Sequence, residues 1–189
     1  MYYRIFYQVS LCNEFIRKAN ESQIEGFTHK AEWIAEARAL RLLSYYHAID
    51  LFGNVPFFTE DNSVGSEGPE QVSREWLWNW MVGECKELIE GSDLKEAKAT
   101  EYGRINKESV QMILAKLYLN AEVWKGEDHY EDCAAICQDL KAKFPTLHAN
   151  YLDLFSADNH KCVISSTYPG TEIFFAVPQD GVNIRSYGA

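Results

Sequence analysis

A strongly apolar segment with an abrupt end, residues 36–58, dominates the hydrophobic pattern of the chain. Apolar residues recur there at helical spacing along two stripes, so we expect other helices to cover more than half of its circumference. The stripes consist of Leu40, Leu43 and His47, and of Leu42, Tyr45, Ile49 and Phe52. Gly53 and Pro56 predict the end of this helix, because glycine caps helix C-termini and proline prevents continuation.

Two further helices are predicted around this segment. The first spans about residues 3–19 and places one apolar residue per turn on a single face, namely Ile5, Val9, Cys12 and Ile16. The pattern loses its period over residues 53–71, which predicts a surface loop. Ser73 is the predicted N-cap of the next helix, which runs to Ile89 and ends at Gly91.

The clearest helix pair lies between residues 110 and 144 and is separated by Gly126. The apolar face of its first helix consists of Val110, Ile113, Leu114, Leu117, Ala121 and Trp124. The second helix is expected to pack through Tyr130, Cys133, Ala134, Cys137, Leu140 and Phe144. Asp128 and Glu131 have the spacing of a capping box for this second helix. The pair is typical of a tetratricopeptide-like hairpin, and the fold class is mainly α.

The end of the chain predicts a short β-hairpin. Residues 173–177 are apolar and read as one strand, and Val182 and Ile184 belong to the other. Asp180 and Gly181 form the turn signal between them. Because an isolated two-stranded hairpin is marginally stable in water, this one either lies on the helices or lacks partner strands.

Four ordered segments resemble the SusD/RagB family of nutrient-binding proteins. They are the helix ending in Leu-Phe-Gly-x-x-Pro at 51–56, residues 103–107 with the helix that follows, residues 151–159, and residues 172–188. The resemblance implies that residues 1–189 are part of a single SusD-like domain. Irregular tetratricopeptide-like helix pairs occupy about 3–145, and a loop and the β-hairpin occupy about 146–189. Members of the family are longer at both ends, which implies that this chain is a fragment.

The same resemblance implies a function in glycan uptake. Such proteins bind oligosaccharides or starch-like polysaccharides at the cell surface and deliver them to a SusC-like TonB-dependent transporter. They are outer-membrane lipoproteins anchored through an N-terminal cysteine. The start of this chain has neither the charged segment nor the apolar run of a signal peptide.

An alternative from another class is an intracellular, tetratricopeptide-like adaptor that binds a protein partner. In that case the aromatic positions serve only as core. The two hypotheses differ in a simple requirement, since a SusD-like protein needs an export signal and a lipidated cysteine and an adaptor needs neither.

Composition argues against nucleic acid as a partner. The 189 residues carry a net charge of −10, and the 18 Lys and Arg residues are scattered along the chain. Neutralisation of phosphates requires a basic stripe, which this sequence lacks.

No pattern predicts a catalytic site, a cofactor or a metal. His129, Cys133 and Cys137 share one helix face, but the outer two lie about 12 Å apart along a helix, too far to converge on one zinc ion. In the starch-system branch of the family, the position of His160 holds an aspartate that contributes to a calcium site. Histidine is a poor ligand for this hard cation. We therefore expect a binding protein rather than an enzyme.

Aromatic residues are the candidate ligand contacts. Trp76 and Trp80 are expected to face the core, and Trp78 points nearly opposite, where it either contacts a ligand or is buried by another helix. Tyr187 is the one residue that the resemblance assigns to ligand binding, in an aromatic arc around the glycan. The alternative role of Tyr187 is to fix the turn at Gly188. An aromatic ring suits a sugar because it covers the apolar C–H face of a pyranose.

Overall fold

The computed structural model describes residues 1–62, 68–179 and 181, and this part of the chain is mainly helical. Its α-helices are α1 (Tyr2–Glu21), α2 (Lys30–Phe52), α3 (Arg74–Glu90), α4 (Lys107–Leu119), α5 (Ala121–Trp124) and α6 (Tyr130–Lys143). Short 3₁₀ helices occur at Ala97–Ala99, Tyr151–Phe155 and Asn159–Cys162. A two-stranded antiparallel sheet joins β1 (Val55–Pro56) to β2 (Gln71–Val72).

Consecutive helices pack on one another, in the order expected for helix pairs. Helix α2 contacts α1, α3 and α4, and α4 contacts α3 and α6. A single apolar cluster runs through these contacts and includes Val9 of α1, Leu42 and Tyr45 of α2, Leu77 of α3 and Leu117 of α4. The mainly α fold class is thereby confirmed, whereas the division into helices at 3–145 and a loop with a hairpin at 146–189 stays a prediction.

Helix α2 ends as predicted. Gly53 adopts φ 75°, and its N–H donates to the carbonyl of Ile49 over 3.1 Å. Leu42, Tyr45 and Ile49 are buried, but Phe52 of the same stripe is exposed, and so is His47 of the stripe with Leu40 and Leu43. Both predicted stripes are thus covered only in part.

The loop after α2 is held to the helix by Tyr45. The Tyr45 hydroxyl donates to the carbonyl of Phe58 over 2.8 Å and accepts from the N–H of Phe58 over 3.0 Å. Burial raises the pKa of Tyr45 above its usual value, so the hydroxyl keeps its proton. The ends of this loop pair as β1 and β2, with Val55 opposite Val72, which the aperiodic sequence did not predict.

Helix α3 begins at the predicted N-cap, but the face that it buries differs from the predicted one. The Ser73 hydroxyl accepts from the N–H of Trp76 over 3.2 Å. Trp78 is buried, and its indole donates to the carbonyl of Leu117 over 2.8 Å. Trp76 is 45% exposed, contrary to the expectation that it faces the core. The reason is that α4 covers the side of α3 that carries Trp78.

Helix α6 is less buried than predicted. Leu140 is buried and Cys133 partly so, whereas Ala134 and Cys137 are exposed. The helix touches α4 along a narrow strip, so only part of its apolar pattern is covered. The predicted capping box is wrong, because the N-cap is His129, which makes no side-chain cap hydrogen bond.

The first strand of the predicted C-terminal hairpin is also wrong. Ile173 forms a single parallel bridge with Val163, and residues 174–179 have no regular secondary structure. The second strand, with Val182 and Ile184, lies outside the described residues. Within the described residues, the apolar run at 173–177 packs on helices through the half-buried Phe174 and Phe175.

Two further observations concern the cysteines and the membrane. All five cysteines are free thiols, and Cys12, Cys85 and Cys162 are buried. None of the helices in the described residues combines the length and apolar character needed to span a bilayer.

We expect Tyr45→Phe to lower the free energy of unfolding by about 1–3 kcal/mol, because it leaves the N–H and the carbonyl of Phe58 without their side-chain partner. Urea denaturation followed by circular dichroism measures this change. Tyr7→Phe is the matched control, since Tyr7 is 59% exposed. Equal stabilities for the two variants would contradict the role of the Tyr45 hydroxyl.

Candidate functional site

The segment that leads toward Tyr187 is anchored at the start of α4 by Asn106. The Asn106 side-chain oxygen accepts from the N–H of Ser109 over 3.0 Å and caps the helix. Its amide group donates to the carbonyl of Phe174 over 2.6 Å. One buried side chain therefore fixes both the helix start and the extended segment 172–178.

Neighbouring residues support the same anchor. Gly103 has φ 82°, and a Cβ atom there would lie 2.7 Å from Cγ of Pro178, so this close approach requires glycine. Arg104 donates from Nε to Glu36 of α2 over 2.8 Å, which ties the turn to the helix layer. The motif at 103–107 that carried the family resemblance thus positions the segment leading to Tyr187.

The extended segment lies in a groove formed by α2, α4 and α6. The rings of Phe174 and Phe144 have centroids 5.0 Å apart. On the α2 side, Phe174 and Phe175 close a cavity of about 340 Å³ that includes Tyr46 and His47. On the α6 side, Phe174 borders a second cavity of about 420 Å³ with Phe144. The chain therefore fills the middle of this apolar groove itself.

Tyr187, the predicted ligand contact, lies outside the described residues. The structure instead shows how the preceding residues, 172–179, are held against the helices. Sequence reasoning had singled out the segment as a strand and had not connected it to Asn106. The pairing joins positions 68 residues apart, which local patterns do not report.

A second opening, here called the polar cleft, lies among α1, α2, α3 and the loop after β1. Its volume is about 350 Å³, and its polar and aromatic lining consists mainly of Arg38, Arg41, Thr59, Asp61, Trp80 and Glu84. Sequence reasoning missed it, although two arginines within an otherwise apolar helix were a usable signal. A buried charge is expensive without a partner, so each predicts a carboxylate nearby.

The residues considered for metal binding are engaged in other contacts. His129 Nδ1 lies 2.7 Å from Asp132, and its ring packs against both Trp78 and Tyr118, with centroids 5.0 and 5.5 Å away. Cys137 is exposed on α6. Within the described ranges, no three His, Cys, Asp or Glu side chains are grouped so as to hold a metal ion.

The turn considered for calcium is held by an ion pair. Asp158 lies 2.5 Å from Lys161 and accepts from the Ser156 hydroxyl over 2.8 Å. These two contacts lower the pKa of Asp158 to about 2, so it remains a carboxylate. The ring of the adjacent His160 lies edge-on to Tyr168, with centroids 5.0 Å apart.

Comparison with known proteins gives a consistent set of relatives. No protein-family model matches the chain. Among curated proteins, the chain is similar to the starch-binding protein SusD of Bacteroides thetaiotaomicron, with 32% identity over 194 aligned positions. This match covers 100% of the chain and 32% of SusD, so the chain spans about a third of the length of this relative.

Solved structures agree with the fold. A SusD-like carbohydrate-binding protein from Bacteroides fragilis superposes with a TM-score of 0.72 at 23% identity, covering 92% of this chain and 32% of that one. Surface glycan-binding protein A from Bacteroides thetaiotaomicron, in complex with laminarihexaose, has a TM-score of 0.61 at 20% identity, covering 89% and 36%. At these identities the likeness shows a shared fold.

We expect Asn106→Ala to destabilise the protein by about 1–3 kcal/mol, because both the cap of α4 and the bond to Phe174 are lost. Hydrogen exchange should rise at the first turn of α4 and along 172–178 together. Asn150→Ala is the control, since Asn150 caps only the exposed 3₁₀ helix at Tyr151–Phe155. If exchange rises in α4 alone, Asn106 does not anchor the segment.

Proposed function

We propose that this chain, a member of the SusD family by its homology with SusD, belongs to a protein that binds glycans at the cell surface and is not an enzyme. The observation that carries the proposal is 32% identity with a starch-binding protein along the whole chain. The relative from Bacteroides fragilis is named for carbohydrate binding, and the one from Bacteroides thetaiotaomicron was solved with laminarihexaose. The intact protein binds an oligosaccharide or polysaccharide and delivers this glycan to a SusC-like TonB-dependent transporter in the outer membrane. A lipid anchor holds the protein to the same membrane.

The helices around segment 172–178 serve this function as a scaffold. The turn at 103–106 and the apolar groove hold this segment, which precedes Tyr187 in the chain. The proposal places the tyrosine ring against the C–H face of a sugar, with the ring hydroxyls of the sugar left in water. These helices stabilise segment 172–178 and need not contact the ligand at Tyr187.

The groove also bears on the adaptor alternative. A helical-repeat adaptor binds its partner along an open groove, whereas Phe174 and Phe175 occupy the groove formed by α2, α4 and α6. A protein partner would have to displace them and break the bond from Asn106 to Phe174. This favours the glycan-binding proposal over the adaptor.

The class of glycan is tested by isothermal titration calorimetry with the full chain. Maltoheptaose and laminarihexaose are suitable probes, since the relatives are named for starch and for a complex with laminarihexaose. Saturable binding of either supports the proposal. Absence of binding to these and to a wider panel of plant and host glycans would contradict it.

The surface location and the transporter have their own test. In cells that produce the intact protein, external protease should remove it, and a large β-barrel protein should co-purify after mild detergent extraction. Protection from protease in intact cells would favour an intracellular protein instead.

We expect Tyr187→Ala to weaken oligosaccharide binding by about 1–3 kcal/mol, the usual scale for loss of an aromatic anchor, without lowering the melting temperature. Calorimetry with the best-binding probe measures the affinity, and Tyr187→Phe should retain most of it. Unchanged affinity in a folded Tyr187→Ala variant would remove Tyr187 from the site.

A further inference from the structure

We propose that the polar cleft binds a single neutral sugar residue, as a contact separate from Tyr187. This inference rests on the proposed glycan-binding function and adds a second subsite to it. The cleft volume of about 350 Å³ lies at the lower end of the range for small-molecule sites, roughly 300–1,000 Å³.

The polar groups around the cleft are held in place before any ligand arrives. Arg38 donates to the two carboxylate oxygens of Glu84 over 2.8 and 2.6 Å, in a bidentate pair. Arg41 donates to Asn13 over 2.8 Å and also bonds to Glu60. Such fixed pairs reduce the entropy lost when a ligand binds, because the side chains are already ordered.

One donor in this network has no partner. Arg41 is only 3% exposed, and its Nε makes no hydrogen bond to any of the described residues. A buried N–H left unpaired costs free energy, so a small shift of the Arg41 side chain that brings this N–H to a ligand oxygen is favoured. A sugar hydroxyl is such an acceptor and can donate its own proton to a carboxylate.

The charges around the cleft nearly cancel. The lining holds Arg38 and Arg41 together with Glu60, Asp61 and Glu84, which leaves a balance of only one negative charge. Neither an anion nor a metal cation therefore has a strong net attraction to the cleft. A neutral molecule with several hydroxyl groups uses both the donors and the acceptors.

Apolar surface completes the chemistry of a sugar site. Trp80 is partly buried and lines the cleft together with Ile16 and Ile34. The guanidinium of Arg41 lies over the Trp80 ring, 5.7 Å from its centroid, so the rest of the ring and the two isoleucines meet the C–H groups of a pyranose. Thr59 and Asp61 lie on the loop side, near the sugar hydroxyls. Asp61 is exposed and forms no ion pair with any of the described residues, so its substitution breaks none.

The test follows the indole N–H signal of Trp80 by NMR, assigned with Trp80→Phe, while D-glucose, D-galactose or D-mannose is added to the full chain. We expect a saturable shift with at least one of these sugars. Asp61→Ala and Thr59→Val should each raise the dissociation constant about tenfold. Asp50→Ala, an exposed acid on α2 outside the cleft, should leave it unchanged.

Three results would overturn the inference. They are the absence of a Trp80 shift with all three sugars, a shift that neither substitution weakens, and a saturable shift with phosphate or Ca²⁺ but with no sugar. Repeating the titration in Tyr187→Ala separates the two proposals, because the Trp80 shift should persist there. If calorimetry shows oligosaccharide binding while the Trp80 indole signal does not shift, the sugar subsite in the polar cleft is wrong. The proposed glycan-binding function is then still supported.

Discussion

The burial of α2 among α1, α3 and α4 is the constraint on which the rest of the structure depends. Polar groups on a buried helix need partners, because an unpaired one costs free energy. Glu36 accepts a hydrogen bond from Arg104, which positions the turn before α4. Arg41 donates to Asn13 of α1, and the Tyr45 hydroxyl donates to the backbone carbonyl of Phe58. The polar atoms of one helix thus position the opening helix, the loop after β1 and the base of the segment that leads to Tyr187.

This arrangement produces two openings of different character. The middle of the apolar groove of α2, α4 and α6 is occupied by Phe174 and Phe175 of the chain itself, which suits a scaffold rather than a receptor for peptides. The polar cleft is lined by guanidinium and carboxylate groups that are already paired, beside Trp80. Hydroxyl-rich ligands match a surface of that kind, because they donate and accept at once. Both openings are therefore compatible with a glycan-binding protein.

Several features were predictable because their cause is local. The ends of α2 and α3 follow from Gly53 and from Ser73, each of which acts through backbone groups within a few residues. The predicted strand at 173–177 was wrong, since an apolar run of five residues does not show whether it meets a strand or a helix face. The candidate site was only partly predictable from the sequence. The motif at 103–107 pointed to the right region, but its link from Asn106 to Phe174 joins distant positions.

Local patterns were enough to establish the helical class, the positions of the long helices and the family resemblance, because helical periodicity and caps depend on neighbours within one or two turns. Tertiary structure decided which faces are covered. Trp78 became a core residue and Trp76 an exposed one because α4 packs on that side of α3. It also decided that Arg38 and Arg41 of α2 meet Glu84 of α3, more than forty positions away. The polar cleft exists only through such long-range pairing, and no local pattern reports it.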